Sequence, residues 1–453
     1  MSALSDIARR MFLAAVTEVQ PQALVRRLRF TATGVALDDD VIEPGGEFVL
    51  VALGKAAPGL AAAFLARCGR QPDDVFVLAP DGVAAPEAVV PFLRIARHPL
   101  PDQRGVDATA ELRRRLAALD PSAGVVVLLS GGSSALLAEP LPGIGLERVV
   151  AVTRALLHAG ATIGELNAVR KHLLAAAGGR LAAACPAPML TLAISDVPGD
   201  DLATIASGPT VPDPTTLADA LAVVRRHGLD ADFADLVDFW TAAPESPKSD
   251  DPRLDRATTR LLGSSREALE AAAEVARDAG FVPRVVTRTL RGEAREIGGT
   301  LAALARAGAA GEGVALLFAG ETTVTVTGQG RGGRNLEAAL AAALALDGEP
   351  DRCVLAAGTD GVDGSSPAAG AVVDGDTVSR ARALGRDPLA ALADNDAWGF
   401  FTGLPEAIVT GPTGTNVADL AFVLVAGAVP LLLSDAATAA LALGGRSGAP
   451  PGA

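Results

Sequence analysis

Six apolar runs in this sequence each end in a short loop of Gly, Ser, Thr, Asp or Lys, and that recurrence constrains the fold more than any other feature. In the first half they read Val51-Ala52-Leu53-Gly54-Lys55, Leu128-Leu129-Ser130-Gly131-Gly132-Ser133-Ser134 and Ala193-Ile194-Ser195-Asp196-Val197-Pro198-Gly199-Asp200-Asp201. In the second half they read Leu317-Phe318-Ala319-Gly320-Glu321-Thr322, Ala356-Ala357-Gly358-Thr359-Asp360-Gly361-Val362-Asp363-Gly364 and Val409-Thr410-Gly411-Pro412-Thr413-Gly414-Thr415-Asn416. Strands that are apolar throughout are buried on both faces, and helical stretches between them imply a mostly parallel sheet covered by helices. Ligands of open α/β sheets bind outside the carboxyl ends of the strands, so all six loops fall on the ligand side.

The periodicity predicts an amphipathic helix up to about residue 29, then strands over 48–53, 75–78, 93–96, 125–129 and 189–194. Helices are expected between them over 56–68, 105–119, 146–159, 163–184 and 215–228. The polar stretch 243–252, with Pro244, Pro247 and Pro252, reads as a linker. Beyond it the pattern predicts helices over 265–279, 293–307 and 335–346, and strands over 282–287, 314–318, 322–327, 354–357 and near 421–425. The strict alternation of Thr322 to Thr327 suggests a half-exposed strand in a mixed sheet. A chain of 453 residues exceeds one ordinary core. The expectation is two α/β domains, 1–245 and 246–453.

Composition excludes several classes of function. With 39 basic and 53 acidic residues the net charge is −14, and aromatic residues are only 3% of the chain. No basic stripe tracks phosphates and no aromatic platform stacks bases, so nucleic acid is not an expected partner. Any anion must be held by a few local cations and backbone N–H groups. Cys68, Cys185 and Cys353 lie far apart and read as small buried hydrophobes, not a metal set or a disulfide framework. The first residues carry an early acid, Asp6, and no long apolar run, which predicts no secretory leader. The most apolar stretch, 420–433, is interrupted by Pro430 and falls short of the roughly 20 residues of a membrane span. A cytoplasmic protein without a membrane partner is expected.

Two adjacent glycines in the loop from Ser130 to Ser134 let backbone N–H groups approach an anion, making it the clearest phosphate cradle of the first domain. Lys55 directly follows a buried strand, where an ammonium is costly unless it meets an anion. Gly328, Gly330 and Gly333 formally match the dinucleotide pattern G-x-G-x-x-G. Their strand alternates, however, and the loop carries Arg331 and Arg334, which suit a polyphosphate better than a ribose. No Walker A sequence is present. The carboxylates Asp196, Asp200, Asp201, Glu321, Asp360 and Asp363 share these loops and could hold a hard cation beside phosphate. The four histidines are dispersed; His98 ends a strand and could face the cleft.

These motifs, in order from about residue 5 to about 435, resemble the glycerate 2-kinases of the MOFRL type, some of which bear the name hydroxypyruvate reductase. The resemblance includes Gly54-Lys55-Ala56-Ala57, Ser130-Gly131-Gly132-Ser133-Ser134 and Leu166-Asn167-Ala168-Val169-Arg170-Lys171-His172-Leu173. It continues through Ser195 to Asp201, Ile205 to Thr210, Gly332-Gly333-Arg334-Asn335, Gly358-Thr359-Asp360-Gly361 and Thr410 to Val417. It implies a larger Rossmann-like α/β/α N-terminal domain, a smaller mixed α/β C-terminal domain and an active site in the cleft between them. It further implies ATP-dependent phosphorylation of D-glycerate at its 2-hydroxyl, with Mg²⁺. Carried over by motif, Lys55, Arg334 and Asp196 are the catalytic candidates. Gly54, Ser130, Gly131, Gly132, Ser133, Ser134, Gly332, Gly333, Asn335, Thr415 and Asn416 are the nucleotide-binding candidates, and Asp196 and Asp360 the metal ligands. Two positions depart from the family pattern: Ser365 to Ala369 where a third acid is common, and Leu336 where glutamine is usual. The competing readings are an NAD(P)H-dependent hydroxypyruvate reductase using the Gly328–Gly333 loop, and a non-catalytic sugar-acid or nucleotide sensor. A homo-oligomer remains an open expectation.

Overall fold

The structure is a computed structural model that describes residues 2–307, 309–310 and 313–429; Pro430 to Leu433, the end of the apolar stretch noted above, lies outside them. The chain forms two compact units. One comprises Pro21–Ser195 and Asp200–Leu262; the other comprises Met1–Gln20, Asp196–Gly199 and the residues from Gly263 onward.

The first unit is built on a six-stranded sheet. Its order is Leu93–Ala96, Asp74–Pro80, Phe48–Leu53, Gly124–Leu129, Met189–Ile194 and Ala257–Gly263. The first five pair in parallel, with Leu53 level with both Leu78 and Leu129. Phe48–Leu53, Gly124–Leu129 and Met189–Ile194 are buried at every position, which is why their sequences are apolar without alternation. From Phe48–Leu53 the chain builds outward to one edge and then returns to place Gly124–Leu129 on the other side. The carboxyl ends of those two strands therefore flank the topological switch point.

Two expectations for this unit are corrected. The helix expected over 163–184 divides into Ile163–Lys171 and Arg180–Ala183. Gly178 (φ +55°) and Gly179 (φ +79°) intervene in the left-handed region, where other residues are strained. The Pro-rich stretch 243–252 is no free linker. Ser246 is buried and donates to Asp213 Oδ2 at 2.7 Å, and the Pro247 carbonyl accepts from Asp213 N at 2.9 Å. Its attachment continues into the strand Ala257–Gly263, and the first compact unit runs through Leu262.

The second unit has a mixed six-stranded sheet in the order Phe281–Leu290, Gly313–Gly320, Asp419–Val425, Arg352–Gly358, Gly370–Asp374 and Ala407–Ile408. Only the first pair is parallel. The expected strand over 322–327 does not form; only a bridge at Thr323 to Glu293 remains, and Thr325 N donates instead to the Glu293 carboxylate at 2.9 Å. Gly370–Asp374, fully buried, is a strand that the sequence reading missed. The N-terminal helix Ala3–Glu18 belongs to this unit and buries Leu4, Ala8, Met11, Phe12 and Ala15 at helical spacing. Its Ser2 cap accepts from Ser5 N. Past its carboxyl end the Val19 carbonyl accepts from Thr415 Oγ1 at 2.6 Å, and Thr415 is buried. Among the described residues no helix is long and apolar enough to cross a membrane.

Thr415→Val keeps the volume but strands the Val19 carbonyl, so it should lower unfolding stability by about 1–3 kcal/mol. Equilibrium urea denaturation measures this; an unchanged midpoint would mean the hydroxyl carries no tie.

Candidate active site

At the switch point the loops after Leu53 and Leu129 are laced together. Ser130 N donates to the Leu53 carbonyl at 2.9 Å, and Lys55 N donates to the Gly131 carbonyl at 3.0 Å. The Ser130 hydroxyl donates to Leu53 O at 3.0 Å and accepts from Ala56 N at 3.1 Å. Ser133 Oγ donates to Ser130 O at 2.8 Å. The buried hydroxyls of Ser130 and Ser133 thus shape the loop and are turned away from a ligand. A Cβ on Gly54 would lie 2.4 Å from the Ser130 carbonyl oxygen, and its φ is +106°, so glycine is required there.

The lacing leaves the ligand-binding groups of the loop open. No hydrogen bond from the amides of Gly131, Gly132, Ser133 or Ser134 is found among the described residues. Lys55 is exposed and forms no ion pair among them. His98 sits against Gly132: a Cβ there would come within 3.4 Å of its ring. Burial lowers the His98 pKa, and the positive charges of Lys55 and Arg170 lower it further. Arg170, on the helix Ile163–Lys171, is half-buried with no acidic partner among the described residues, and burial lowers its pKa as well. One turn earlier on that helix, Asn167 Oδ1 accepts from Ser207 Oγ at 2.9 Å, and Ser207 Oγ lies 2.9 Å from Ser134 Oγ. Lys55 and Arg170 therefore place two positive charges beside the open amides, and both act on the His98 ring, which is held toward its neutral form. Arg170, Asn167 and Ser207 were not singled out by sequence; the available signal was an arginine without a helical i±3 or i±4 acid.

In the second unit the glycine-rich loop is built differently. Thr327 N and Gly328 N donate to Asn395 Oδ1 at 2.8 and 2.9 Å, and Gln329 N donates to Asp394 Oδ1 at 2.8 Å. Gly330 N donates to Asp394 O at 2.9 Å, Arg331 N to Asp396 Oδ1 at 3.0 Å and Gly332 N to Ser365 Oγ at 3.2 Å. Asp363 completes the series: its carboxylate accepts from Asn335 N at 3.1 Å, Asn335 Nδ2 at 3.2 Å and Leu336 N at 2.8 Å. It caps the helix Arg334–Ala345, where a bound anion would otherwise sit. The glycines allow close packing instead. A Cβ on Gly328 would meet the Asp394 carbonyl at 2.1 Å, and one on Gly333 would meet the Asp363 carboxyl at 2.5 Å. Leu336, at the position that departs from the family pattern, is buried in the core of this unit.

What this loop presents is Arg334. Its guanidinium grips Asp419 through Nε and Nη2, the latter at 3.0 Å, and reaches Glu321 at 3.3 Å through Nη1. Burial alone would lower its pKa, but the Asp419 carboxylate outweighs burial and holds it above the ordinary value. Burial pushes the Asp363 carboxyl up to about 6. Around Gly358 three groups converge: a Cβ there would lie 3.1 Å from Asp360 Oδ1, 3.2 Å from Asp419 Oδ1 and 3.4 Å from Asn335 Nδ2. Asn416 Nδ2 lies 3.4 Å from Asp196 Oδ2. The Thr415 hydroxyl donates to the Val19 carbonyl. Among the described residues no three His, Cys, Asp or Glu side chains are grouped to hold a metal ion.

Comparison with known proteins accords with this division. Residues 7–240 match the model of a domain of unknown function (DUF4147), and residues 314–419 match the MOFRL family. The chain is 38% identical over 380 residues to the D-glycerate 2-kinase of Thermotoga maritima, covering 82% of this chain and 89% of that one. It is 41% identical over 430 residues to a chain of Agrobacterium vitis named as a hydroxypyruvate reductase, covering 93% and 94%. The crystal structure of glycerate kinase from Thermotoga maritima superposes with a TM-score of 0.82 at 35% identity, covering 93% of this chain and 99% of that one. The chain belongs to the glycerate 2-kinase family, with a MOFRL C-terminal region.

Proposed function

We propose that the protein transfers the γ-phosphoryl group of ATP to the 2-hydroxyl of D-glycerate, giving 2-phosphoglycerate and ADP. The observation that carries this reading is the laced loop at the switch point, with four open amides beside an unpaired lysine. Phosphoryl transfer is catalysed chiefly by positioning and by stabilising negative charge, which is what this arrangement supplies. The amides of Gly131 to Ser134 bind phosphate oxygens, and Lys55 neutralises the charge that grows on the transferred group; Arg334 is the candidate cation of the second unit. Arg170 and His98 offer donors to the substrate carboxylate. Asp360 is a candidate ligand for Mg²⁺ delivered with a nucleotide, which takes only one or two carboxylates from protein. Asp196 is the further candidate ligand. The ion would supply charge neutralisation across the phosphates. The reaction is assigned to the cytoplasm, where ATP is made available.

The name hydroxypyruvate reductase, borne by some relatives, has no counterpart in the G-x-G-x-x-G loop. The amides from Thr327 to Gly332 already donate to Asn395, Asp394, Asp396 and Ser365, so most of the loop backbone is taken before a pyrophosphate could use it. Incubation with hydroxypyruvate and NADH in the absence of ATP should leave NADH unoxidised; steady oxidation would restore the reductase.

Lys55→Ala should lower kcat by about 10²–10³-fold while shifting stability by less than about 0.5 kcal/mol, since the side chain is exposed. Arg334→Lys should lower kcat comparably, because an ammonium cannot reproduce the forked grip on Asp419. ADP release in a coupled assay reads both; near-normal turnover in both variants would sink the assignment.

The raised Asp363 pKa carries a pH signature. Relative to an ordinary value of 3.8, a native value of about 6 means that the folded state binds the proton more tightly. This contribution to stability is fully present below about 3.8 and is lost as pH rises through about 6. Asp363→Asn removes it, so the stability of wild type relative to the variant should fall between pH 4 and pH 7. Parallel denaturation curves across that range would show instead that the carboxylate stays ionised.

A further inference from the structure

A cavity of about 240 Å³ lies in the first unit, away from the laced loops. It is bordered by Arg113, Arg180 and Arg253, with Ala175, Pro244 and Glu245. Arg113 belongs to the last turns of the helix Gln103–Ala117, which leads to the amino end of the strand Gly124–Leu129. None of its lining residues belongs to the laced loops after Leu53 and Leu129.

Its cations are incompletely paired. Arg113 uses Nη1 to donate to Glu139 at 2.8 Å, but its buried Nε finds no acceptor among the described residues. Arg180 reaches the Pro244 carbonyl at 3.4 Å through Nη2, and its buried Nη1 finds none. Burial lowers the Arg180 pKa; Asp213 and Glu245 oppose that shift, and the charges of Arg253 and Arg113 add to it. Glu245 is the one carboxylate on the lining. Its oxygens are held by Leu217 N at 2.8 Å and by Lys248 at 3.0 Å, so it is not free to satisfy the arginines. Arg253 is exposed and paired with Asp251 at 2.6 Å, but the buried guanidinium donors of Arg113 and Arg180 without acceptors are costly, and positive groups around one hollow repel each other. Both penalties are relieved by a ligand that brings several acceptor oxygens and more than one negative charge. Planar forked donors match phosphate and carboxylate oxygens in particular. At roughly 30 Å³ per water, the hollow has room for about eight waters, or one small organic phosphate.

We propose that this cavity is a second anion site, which binds a small phosphate-bearing or polycarboxylate metabolite through Arg113, Arg180 and Arg253. The site is independent of the phosphate-binding loops and of the reaction assigned to them.

Isothermal titration with inorganic phosphate, at ionic strength held constant with sodium chloride, tests it. Wild type and Lys55→Ala should bind phosphate alike at this site. Arg180→Gln should weaken that binding by about tenfold or more. The exposed Arg253→Gln should also weaken it, and provides a variant whose folding is not in question. Circular dichroism checks that both retain the native fold. Equal binding by wild type and both arginine variants would overturn the proposal. So would loss of all phosphate binding in Lys55→Ala, which would place the anion at the strand-end loops, or absence of any phosphate binding by wild type.

Discussion

The Ser130 hydroxyl is the contact on which the candidate site depends. By donating to Leu53 O and accepting from Ala56 N, it joins the ends of two neighbouring parallel strands. Parallel strands emerge in the same direction, so their following loops start side by side and diverge unless something crosses between them. Ser130, with the Lys55 N to Gly131 O bond, makes that crossing. The consequence is electrostatic as much as structural. Once the loop is held by hydroxyls and carbonyls, its amides need not be used for that purpose, and a lysine can stand next to them.

The second unit solves a similar sequence problem with the opposite outcome. Its glycine-rich loop also opens a helix, yet its amides from Thr327 to Gly332 are satisfied by side chains and a carbonyl of the protein itself. Asp363 takes the place at the helix start that an external anion could occupy. An amide that already donates to a buried carboxylate contributes nothing to a passing phosphate. What the loop gives up in binding capacity it returns in rigidity, because Arg334 is fixed at the first helical position and gripped by Asp419. One loop offers its backbone and the other offers a side chain.

The strand-loop-helix order of the parallel sheet was legible, because burial on both faces leaves a signal in every residue of strands such as Phe48–Leu53. The switch point was not, because it depends on the strand order, which only the structure shows. The alternation at Thr322 to Thr327 misled, because period-2 threonines fit either a strand or an irregular segment whose amides pair with side chains such as Glu293. The character of the G-x-G-x-x-G loop was not legible at all. Its acceptors lie some 65 residues downstream, in a turn that nothing in the loop announces. Arg170 was hidden for a related reason. Within an expected helix over 163–184 it reads as a surface cation, and only the break at Gly178 and Gly179 and the folding of that segment place it near His98.

These observations also bear on how an acidic chain handles anionic ligands. A net charge of −14 works against any phosphorylated compound at long range. Screening confines that repulsion to about 8–10 Å at cellular ionic strength, so what decides binding is the charge within that distance. Near the laced loop that local charge is positive: Lys55 and Arg170 both act on His98, and no acid is paired with either among the described residues. Burying cationic groups without counter-charges is costly: burial lowers the Arg170 pKa, and burial together with the charges of Lys55 and Arg170 lowers that of His98. An incoming polyanion relieves that cost, so part of its binding free energy is already stored in the free protein. Backbone amides add to this without adding repulsion, which is why two glycines and two serines suit the site better than further lysines.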